Sequence, residues 1–398
     1  MNLTKAWAAQ LDDYVIDLAW SPGGRLLAAA SAAGPINLFD GESGGKLHKL
    51  SGHEDGTNTV AFAPAVAGGA DPGPASPRPA TILASGGQDG KVRLWDVVTG
   101  NQAAETDAGR GAWVQRLEWR PTTTLPVSGI PNPISARLVT GGDYPVSGTP
   151  NPVSVRPVTG RDYPVSGIPN PVSMLAAAAG RKLLLLNPDG TLAHTFQDAP
   201  KTLSALAWHP RGGAVAVASF GRVVIWDADD FRVQREYPFG SAIQALVWSP
   251  DGRWLVAGAQ DNAVHLWIPE EDQEFHMSGY ETKVRELSFS PDSRWLATGG
   301  ARDACVWDCS EGGPEGREPV ALPHADRVCA VAFQHARGLL ATAANDGEVG
   351  LWSLTGGETR VATVKLTAPA SNLVWSPDDT LLAIGSQKGG VLVLRVEA

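Results

Sequence analysis

The feature of this sequence that most constrains its fold is an internal repeat of about 40 residues. Its clearest copy, Ile243 to Trp267, reads IQALVWSPDGRWLVAGAQDNAVHLW. A short apolar segment ends in an aromatic residue and is followed by a turn, in which Pro250 presets the backbone and Gly252 permits positive φ. A segment of small residues, a second turn and an alternating segment complete the copy. The unit predicts three antiparallel strands joined by tight turns.

The aromatic residue that ends the first segment marks the register of each copy, and we call it the register aromatic. The eight register aromatics are Trp20, Phe62, Trp119, Trp208, Trp248, Phe289, Phe333 and Trp375. Five of the intervals between them are 40 to 44 residues long. The two longer intervals contain inserts, residues 64–79 and residues 126–173. Without the inserts all eight copies share one period, which predicts eight blades of a β-propeller.

The two inserts differ from the repeat in composition. Residues 64–79 are rich in Pro, Gly and Ala, and residues 126–173 are Pro-rich, with Pro-Val-Ser-Gly recurring at Pro126, Pro145 and Pro164. A segment with many prolines and few charges cannot form a packed core, so we expect residues 126–173 to be disordered or extended. This insert is interpreted either as a docking segment or as a duplicated surface loop that the fold tolerates.

The complete chain, residues 1–398, is predicted to be a single all-β domain, a closed propeller of eight four-stranded blades. The last copy ends near the C-terminus and lacks a fourth strand, and residues Leu3–Ala9 are predicted to supply it. Pairing of this segment with the last blade would close the ring. Closure would remove exposed strand edges, which otherwise favour aggregation.

Several residue pairs connect the repeat with a known family. Trp-Asp pairs end three copies, at Trp95, Trp226 and Trp307, and Gly52-His53 supplies a Gly-His pair. The whole chain outside the inserts resembles the WD-repeat (WD40) β-propeller family. The resemblance implies a hydrogen-bonded His, Ser/Thr, Asp and Trp tetrad in well-formed blades. Two copies match the pattern with equal spacing, and the matching sets are His53, Ser85, Asp89 and Trp95, and His324, Thr342, Asp346 and Trp352.

Two chemical alternatives to these structural roles remain open from the sequence. The His, Asp and Ser or Thr residues of the tetrads are also the residue types of acid–base and nucleophilic catalysis. Cys305, Cys309 and Cys329, with His324 and His335, are residue types that bind zinc, although the spacing of Cys305 and Cys309 on one strand places their sulfurs too far apart for one ion. We expect buried cysteines, no metal site and no cofactor.

Strand alternation divides the connections of a four-stranded blade between two faces. The connections from fourth to first strand and from second to third strand share one face, whereas both inserts lie on the other. The resemblance implies that partner proteins dock on the uncluttered face, over the channel mouth. The candidate contact residues there are Trp113, Gln115, Lys283, Arg285, Arg327, Gln88, Gln260, Asn345 and Lys388. Trp and Arg are favoured as interface anchors.

Charged residues also stand where most copies have small ones, three residues before the register aromatic. They are Asp17, Arg116 and Glu286. We expect them to line the channel and to pair with one another or with a ligand. Their grouping in one pocket would favour a small-ligand binder or a hydrolase-like enzyme.

Charge and cysteine content limit the class of protein. A net charge of −10 disfavours a nucleic-acid binder, because phosphate binding needs a basic face. Three cysteines do not form a disulfide framework and fit a reducing compartment. Neither a signal peptide nor a membrane span is predicted. We therefore expect a cytoplasmic monomer that acts as a non-catalytic protein-interaction scaffold, with a channel-ligand binder or enzyme and a cysteine-based metal-handling protein as alternatives.

Overall fold

The computed structural model describes residues 2–64, 82–109, 111–122, 173–354 and 359–397. The described part consists of strands and their connections, and it contains no helix. It therefore has no helix that is long and apolar enough to cross a membrane. All described strands belong to one compact unit, residues 1–123 and 172–398.

The strands are numbered β1 to β32 along the chain and form eight four-stranded sheets, the blades. Strand β1 (Asn2–Gln10) precedes the first complete blade. Blade 1 contains β2 (Val15–Trp20), β3 (Leu26–Ser31), β4 (Ile36–Asp40) and β5 (Lys46–Leu50). Blade 2 contains β6 (Thr57–Phe62), β7 (Ile82–Gly87), β8 (Lys91–Asp96) and β9 (Asn101–Asp107). Blade 3 contains β10 (Val114–Trp119), β11 (Leu175–Ala179), β12 (Lys182–Leu186) and β13 (Leu192–Thr195). Blade 4 contains β14 (Leu203–Trp208), β15 (Ala214–Ser219), β16 (Arg222–Asp227) and β17 (Val233–Pro238).

The second half of the ring repeats this order. Blade 5 contains β18 (Ile243–Trp248), β19 (Leu255–Ala259), β20 (Val264–Ile268) and β21 (Gln273–Met277). Blade 6 contains β22 (Leu287–Phe289), β23 (Trp295–Thr298), β24 (Asp303–Asp308) and β25 (Val320–Pro323). Blade 7 contains β26 (Val328–Phe333), β27 (Leu340–Ala344), β28 (Glu348–Ser353) and β29 (Thr359–Lys365). Blade 8 contains β30 (Ala370–Trp375), β31 (Leu381–Ser386) and β32 (Gly390–Glu397).

Blade 8 is completed by β1, which pairs antiparallel with β32 from Asn2 opposite Glu397 to Gln10 opposite Gly390. The predicted closing segment Leu3–Ala9 is therefore confirmed and extends by one residue at each end. The first strand of each blade contacts the first strand of the next, and β2 contacts both β6 and β30. The ring is closed, which confirms the prediction of eight four-stranded blades.

Small residues in the second strands let neighbouring blades approach closely. Ala28, Ala29 and Ala30 in β3 and the segment 176–179 in β11 have no solvent exposure. These strands form the centre of apolar clusters that lie between adjacent blades. The fourth strands are largely exposed. The hydrophobic effect therefore holds the ring together mainly through blade-to-blade contacts near the first, second and third strands.

The register aromatics also bridge the blades by hydrogen bonds. Each register tryptophan donates through Nε1 to the carbonyl of the residue immediately before the register aromatic of the preceding blade. The pairs are Trp20 to Val374, Trp119 to Ala61, Trp208 to Glu118, Trp248 to Ala207 and Trp375 to Ala332, at 2.9–3.3 Å. This position therefore combines apolar burial with a fixed bond across the blade interface.

Residues 64–79 and 126–173 lie outside the described residues, apart from Pro64 and Ser173. The predicted disorder of residues 126–173 stays a prediction.

Candidate functional site

A β-bulge recurs near the start of the first strand and directs one side chain per blade toward the channel. In seven blades the pairing of the first and second strands skips one residue, four positions before the register aromatic. The skipped residues are Ile16, Asn58, Gln115, Ser204, Gln244, Cys329 and Ser371. All seven line the central cavities, and Arg285 occupies the same position in blade 6. Bulges characteristically re-aim side chains in this way.

The central channel brings the three predicted channel residues together. A cavity of about 550 Å³ is lined by the first strands of blades 1, 2, 3, 6, 7 and 8, and its lining includes Asp17, Arg116 and Glu286. Arg285 and Cys329 also line it. The expected grouping of acidic and basic side chains in one channel is thus present in the geometry.

The predicted pairing of these three residues with one another does not form. Within the described chain, no ion pair of 4.0 Å or less joins Asp17, Arg116 and Glu286. Instead, Asp17 accepts hydrogen bonds from the backbone N–H groups of Val60 and Leu18, each at 2.9 Å. Arg116 Nη1 donates to the carbonyl of Gln115 at 2.9 Å. The hydrogen bonds of Asp17 and Arg116 are thus made with backbone groups.

Burial dominates the electrostatics of the two carboxyl groups. Loss of hydration raises the pKa of Asp17, although its hydrogen bonds and Arg116 oppose the shift. Burial likewise raises the pKa of Glu286, opposed by the N–H of Arg285. Both groups therefore bind a proton more readily than an exposed carboxylate does.

A second cavity lies at the mouth of the channel, and we call it the mouth cavity. It encloses about 190 Å³ and is lined by Tyr14, Lys283, Arg285, Glu286, Gly300, Arg327, Val328, Cys329, Asn345, Ala370, Ser371 and Gln387. Tyr14, Lys283 and Arg327 precede first strands, whereas Asn345 and Gln387 lie between second and third strands. The two kinds of connection meet here, as strand alternation requires.

One repeat position supplies much of the rim of this mouth. We call the residue six positions before the register aromatic the rim position. In four blades it is Tyr14, Trp113, Lys283 and Arg327. The residue that follows the rim position is buried in every blade, with at most 2% exposure in Val15, Thr57, Val114, Leu203, Ile243, Val284, Val328 and Ala370. That buried neighbour anchors the backbone beneath each rim side chain. The repeat therefore fixes the backbone at the rim, whereas the rim side chain differs from blade to blade.

The nine predicted contact residues do not all converge. Lys283, Arg285, Arg327 and Asn345 line the mouth cavity, and Gln115 lines an adjoining cavity of about 420 Å³ with Arg116 and Arg285. Trp113 is 49% exposed on the rim, outside these linings. The remaining three, Gln88, Gln260 and Lys388, are not among the lining residues of these cavities.

Those three residues have local backbone roles in the connections. The N–H of Gln88 donates to Gly56 at 3.1 Å, and that of Gln260 donates to Ala242 at 2.9 Å. The carbonyl of Lys388 accepts from Gln10 Nε2 at 2.6 Å, beside the closing strand. Sequence reasoning in turn missed Tyr14, Ser371 and Gln387. The fixed rim and bulge positions were the signal that would have found the first two.

The first predicted tetrad forms a continuous chain of hydrogen bonds. Trp95 Nε1 donates to Ser85 Oγ, His53 Nε2 contacts the same oxygen, and His53 Nδ1 contacts Asp89 Oδ1, each at 2.8 Å. Arg93 adds an ion pair to Asp89 at 2.9 Å. Burial lowers the pKa of His53. Ser85 has no exposure, so its hydroxyl is closed to a substrate.

The second predicted tetrad is incomplete. Thr342 Oγ1 accepts from Trp352 Nε1 at 2.7 Å and contacts His324 Nε2 at 2.7 Å. Asp346, however, pairs with Lys365 at 2.7 Å, and His324 Nδ1 lies 3.3 Å from Glu348 Oε1 without hydrogen-bond geometry. The expected link from His324 to Asp346 is therefore absent, since Asp346 pairs with Lys365 and Glu348 lies within ion-pair distance of His324 instead.

Blade 4 lacks the His and the Ser or Thr of the tetrad, and a cavity lies at the corresponding place between blades 3 and 4. Ala199 and Val217 occupy the positions that correspond to the His and the Ser of the first tetrad, because Val217 pairs with Leu206 as Ser85 pairs with Val60. A space of about 100 Å³ lies there, lined by Ala199 together with Arg222 and Trp226. Apolar packing replaces the hydrogen-bond chain in this part of the ring.

The three cysteines are free, and Cys329, unlike the other two, also lines the channel cavity and the mouth cavity. Cys305 and Cys309 contact one core cluster, and Cys329 contacts another. Burial raises the pKa of Cys305 to about 11 and those of Cys309 and Cys329 to about 12. Metal binding requires thiolates, which these environments disfavour. Among the described residues, no group of three His, Cys, Asp or Glu side chains is arranged to hold a metal ion.

Comparison with known proteins identifies the repeat. The family model for the WD domain, G-beta repeat, matches residues 44–96, 234–267, 272–308 and 318–353. The model for the anaphase-promoting complex subunit 4 WD40 domain matches residues 1–65. The crystal structure of the computationally designed Ika8 protein superposes with a TM-score of 0.68 at 19% identity, covering 97% of this chain and 98% of that one.

Curated relatives share part of the chain. Telomerase protein component 1 of Rattus norvegicus is 26% identical over 52% of this chain, and nuclear distribution protein PAC1 of Coccidioides posadasii is 27% identical over 63%. Protein transport protein sec13 of Aspergillus clavatus is 29% identical over 26%. The matches span 6%, 47% and 38% of those proteins, which is less than half of each. With eight blades in register and these family matches, the chain belongs to the WD-repeat (WD40) β-propeller family.

Proposed function

We propose that this protein is a non-catalytic scaffold that binds a partner protein through the mouth face, meaning the rim positions and the mouth cavity. One observation carries the proposal, namely that connections from blades 1, 6, 7 and 8 meet in a single open cavity on a closed, rigid ring. A preformed face loses little conformational entropy on binding. A matching family model is named for a subunit of a complex, and one relative is named a protein transport protein, which favours an assembly role.

The chemistry of the described residues favours binding over catalysis. Ser85 and Thr342, the hydroxyls nearest to histidines, are fully buried. Cys329 in the mouth cavity is held as a neutral thiol, since burial raises its pKa to about 12. No histidine is among the residues that line the mouth cavity or the channel cavity. The base most common beside a catalytic nucleophile is therefore not among the residues of these linings.

A second candidate function is supported by the shared cavity of Asp17, Arg116 and Glu286. Charged side chains that converge in one concave site favour a small polar ligand in the channel. Binding of such a ligand would raise the midpoint of thermal unfolding, and the rise would grow with the logarithm of the ligand concentration above its Kd. A screen of small polar metabolites for such a shift, compared with an Arg116→Gln variant, tests this candidate.

We further propose that the protein acts in the cytoplasm as a monomer and does not bind nucleic acid. The net charge of −10 and the three reduced cysteines support this proposal.

The partner-binding proposal is tested by affinity capture from the native host with three forms of the full chain. The first is unaltered, and the second carries Trp113→Ala and Arg285→Glu on the mouth face. The third carries Val98→Ala and Arg337→Glu, two exposed positions in connections of the opposite face. All three must unfold at the same temperature.

We expect one partner to be retained by the unaltered and third forms and lost by the second. Equal capture by all three forms would contradict the mouth face as the binding surface. Absence of a stable partner would favour the channel-ligand function instead.

A further inference from the structure

We propose that the mouth cavity binds a carboxylate side chain from an acidic segment of a partner protein. This inference rests on the proposed protein-binding function and names the chemistry of the partner. It is carried by an excess of unpaired positive charge in a preformed concave site.

Three basic side chains line the mouth cavity without a direct ion-pair partner, and Glu286 acts on Arg285 and Arg327 only from beyond 4.0 Å. Within the described chain, the side chains of Lys283, Arg285 and Arg327 form no ion pair within 4.0 Å and no hydrogen bond. Other arginines behave differently, since Arg93 pairs with Asp89 and Glu105 and Arg294 pairs with Asp308. Cations left unpaired beside one another repel, and a bound anion would relieve that repulsion.

The single carboxylate in the lining does not neutralise these three charges. Glu286 Oε2 accepts from the backbone N–H of Arg285 at 3.3 Å, and no guanidinium lies within ion-pair distance of it. Three basic groups and one acidic group leave the lining net positive even with Glu286 ionised. This contrasts with the net charge of −10 on the whole chain.

The repeat explains why these cations converge. Lys283 and Arg327 occupy the rim position of the adjacent blades 6 and 7, anchored by the buried Val284 and Val328. Arg285 occupies the bulge position of blade 6, which points toward the channel. Backbone positions that are fixed in this way hold the charges close together before any ligand arrives, and such preorganisation favours binding.

Neutral donors complete a site for an oxyanion. The side-chain amides of Asn345 and Gln387 and the hydroxyl of Ser371 line the same cavity. Arginine presents paired N–H groups that match the two oxygens of a carboxylate. A volume of about 190 Å³ is suited to one side chain, so the rest of the partner segment would lie across the rim. The acidic remainder of the surface would steer such a segment away from other faces.

The experiment measures fluorescence polarisation with two labelled peptides of about ten residues, one alternating Glu with Gly and one alternating Gln with Gly. The full chain is compared with Arg285→Gln/Arg327→Gln and with Arg337→Gln. Arg337 lies in the connection between β26 and β27, on the opposite face of the same blade as Arg327. Thermal unfolding checks that each variant is folded.

We expect the Glu peptide to bind at least about tenfold more tightly than the Gln peptide. The double variant should lose this preference, and Arg337→Gln should keep it. Raising NaCl from about 50 to about 500 mM should weaken binding of the Glu peptide, because salt screens exposed charges.

Equal affinity for the two peptides, or an unchanged preference in the double variant, would overturn the inference. The proposed function fails separately, in the host capture experiment. If the captured partner is lost by the mouth-face variant while neither peptide is preferred, partner binding stands and the acidic-segment inference falls.

Discussion

Trp20 Nε1 donates a 3.1 Å hydrogen bond to the main-chain carbonyl of Val374, which lies 354 residues later in the chain. The bond joins blade 1 to blade 8 and is the equivalent of the bonds that join other neighbouring blades. The two ends of the repeat array therefore meet through the same contact that the interior blades use. At the first strands the ring therefore closes with the same hydrogen bond that joins other neighbouring blades. Strand β1 adds a second closure at the outer edge of blade 8.

We predict that Trp20→Phe lowers the free energy of unfolding by about 2–4 kcal/mol. The carbonyl of Val374 loses its donor, and the smaller ring leaves unfilled space between blades. Chemical denaturation provides the measurement, with Trp113→Phe as the control because Trp113 is 49% exposed. A loss equal to that of the control would show that the indole bond contributes nothing to closure.

Removal of the closing strand, residues 2–10, is predicted to produce association. The deletion exposes the unpaired edge of β32 and removes the buried Trp7, whose Nε1 donates to Gly41 at 2.9 Å. An exposed edge recruits other strands. Size-exclusion chromatography with light scattering should detect oligomers or aggregates. A deletion of residues 145–163, one copy of the tandem repeat, serves as the control and should remain monomeric. A monomeric form lacking residues 2–10 with unchanged thermal stability would contradict this role.

Loss of the Thr342 hydroxyl should destabilise blade 7. Thr342→Val keeps the shape of the side chain but leaves Trp352 Nε1 and His324 Nε2 without their shared partner. Each buried unpaired group costs about 1–3 kcal/mol, so we expect a loss of about 2–4 kcal/mol. Thr342→Ser retains the hydroxyl and should lose clearly less in the same unfolding measurement. Equal losses in the two variants would assign the effect to packing rather than to the hydrogen bonds.

Glu118 is predicted to make stability depend on pH. It is partly buried between blades 3 and 4, where its carboxylate accepts the N–H of Trp208 at 3.1 Å, and burial raises its pKa from 4.5 to about 8. The folded state holds a proton that the unfolded state releases above about pH 4.5. The contribution of Glu118 is therefore fully present at low pH and is lost as the pH rises toward 8.

Glu118→Gln should reduce this pH dependence, because the amide has no proton to lose. We expect the decline in the free energy of unfolding between about pH 5 and pH 8 to shrink by about 1–2 kcal/mol, after allowance for partial solvent access. Denaturant unfolding at several pH values measures it. Parallel pH profiles for the two proteins would show that Glu118 ionises normally in the folded state.

The sequence by itself determined the architecture, because the information is local and repeated. Turn residues such as Pro250 and Gly252 and the period of the register aromatics specify each blade, and eight copies specify the ring. The missing strand of the last blade pointed to residues near the N-terminus. The rim position was also readable, since its distance from the register aromatic is constant.

Only the tertiary structure decided which partner each polar side chain takes. Asp346 turns to Lys365 on the fourth strand rather than to His324, and Asp17 binds the N–H of Val60 in the next blade rather than Arg116. Spacing along one copy contains no information about these choices, because the competing partners come from other strands and blades at distances of a few ångströms. For the same reason the sequence did not distinguish two groups of predicted contact residues. Lys283, Arg285 and Arg327 line the mouth cavity, whereas Gln88, Gln260 and Lys388 do not.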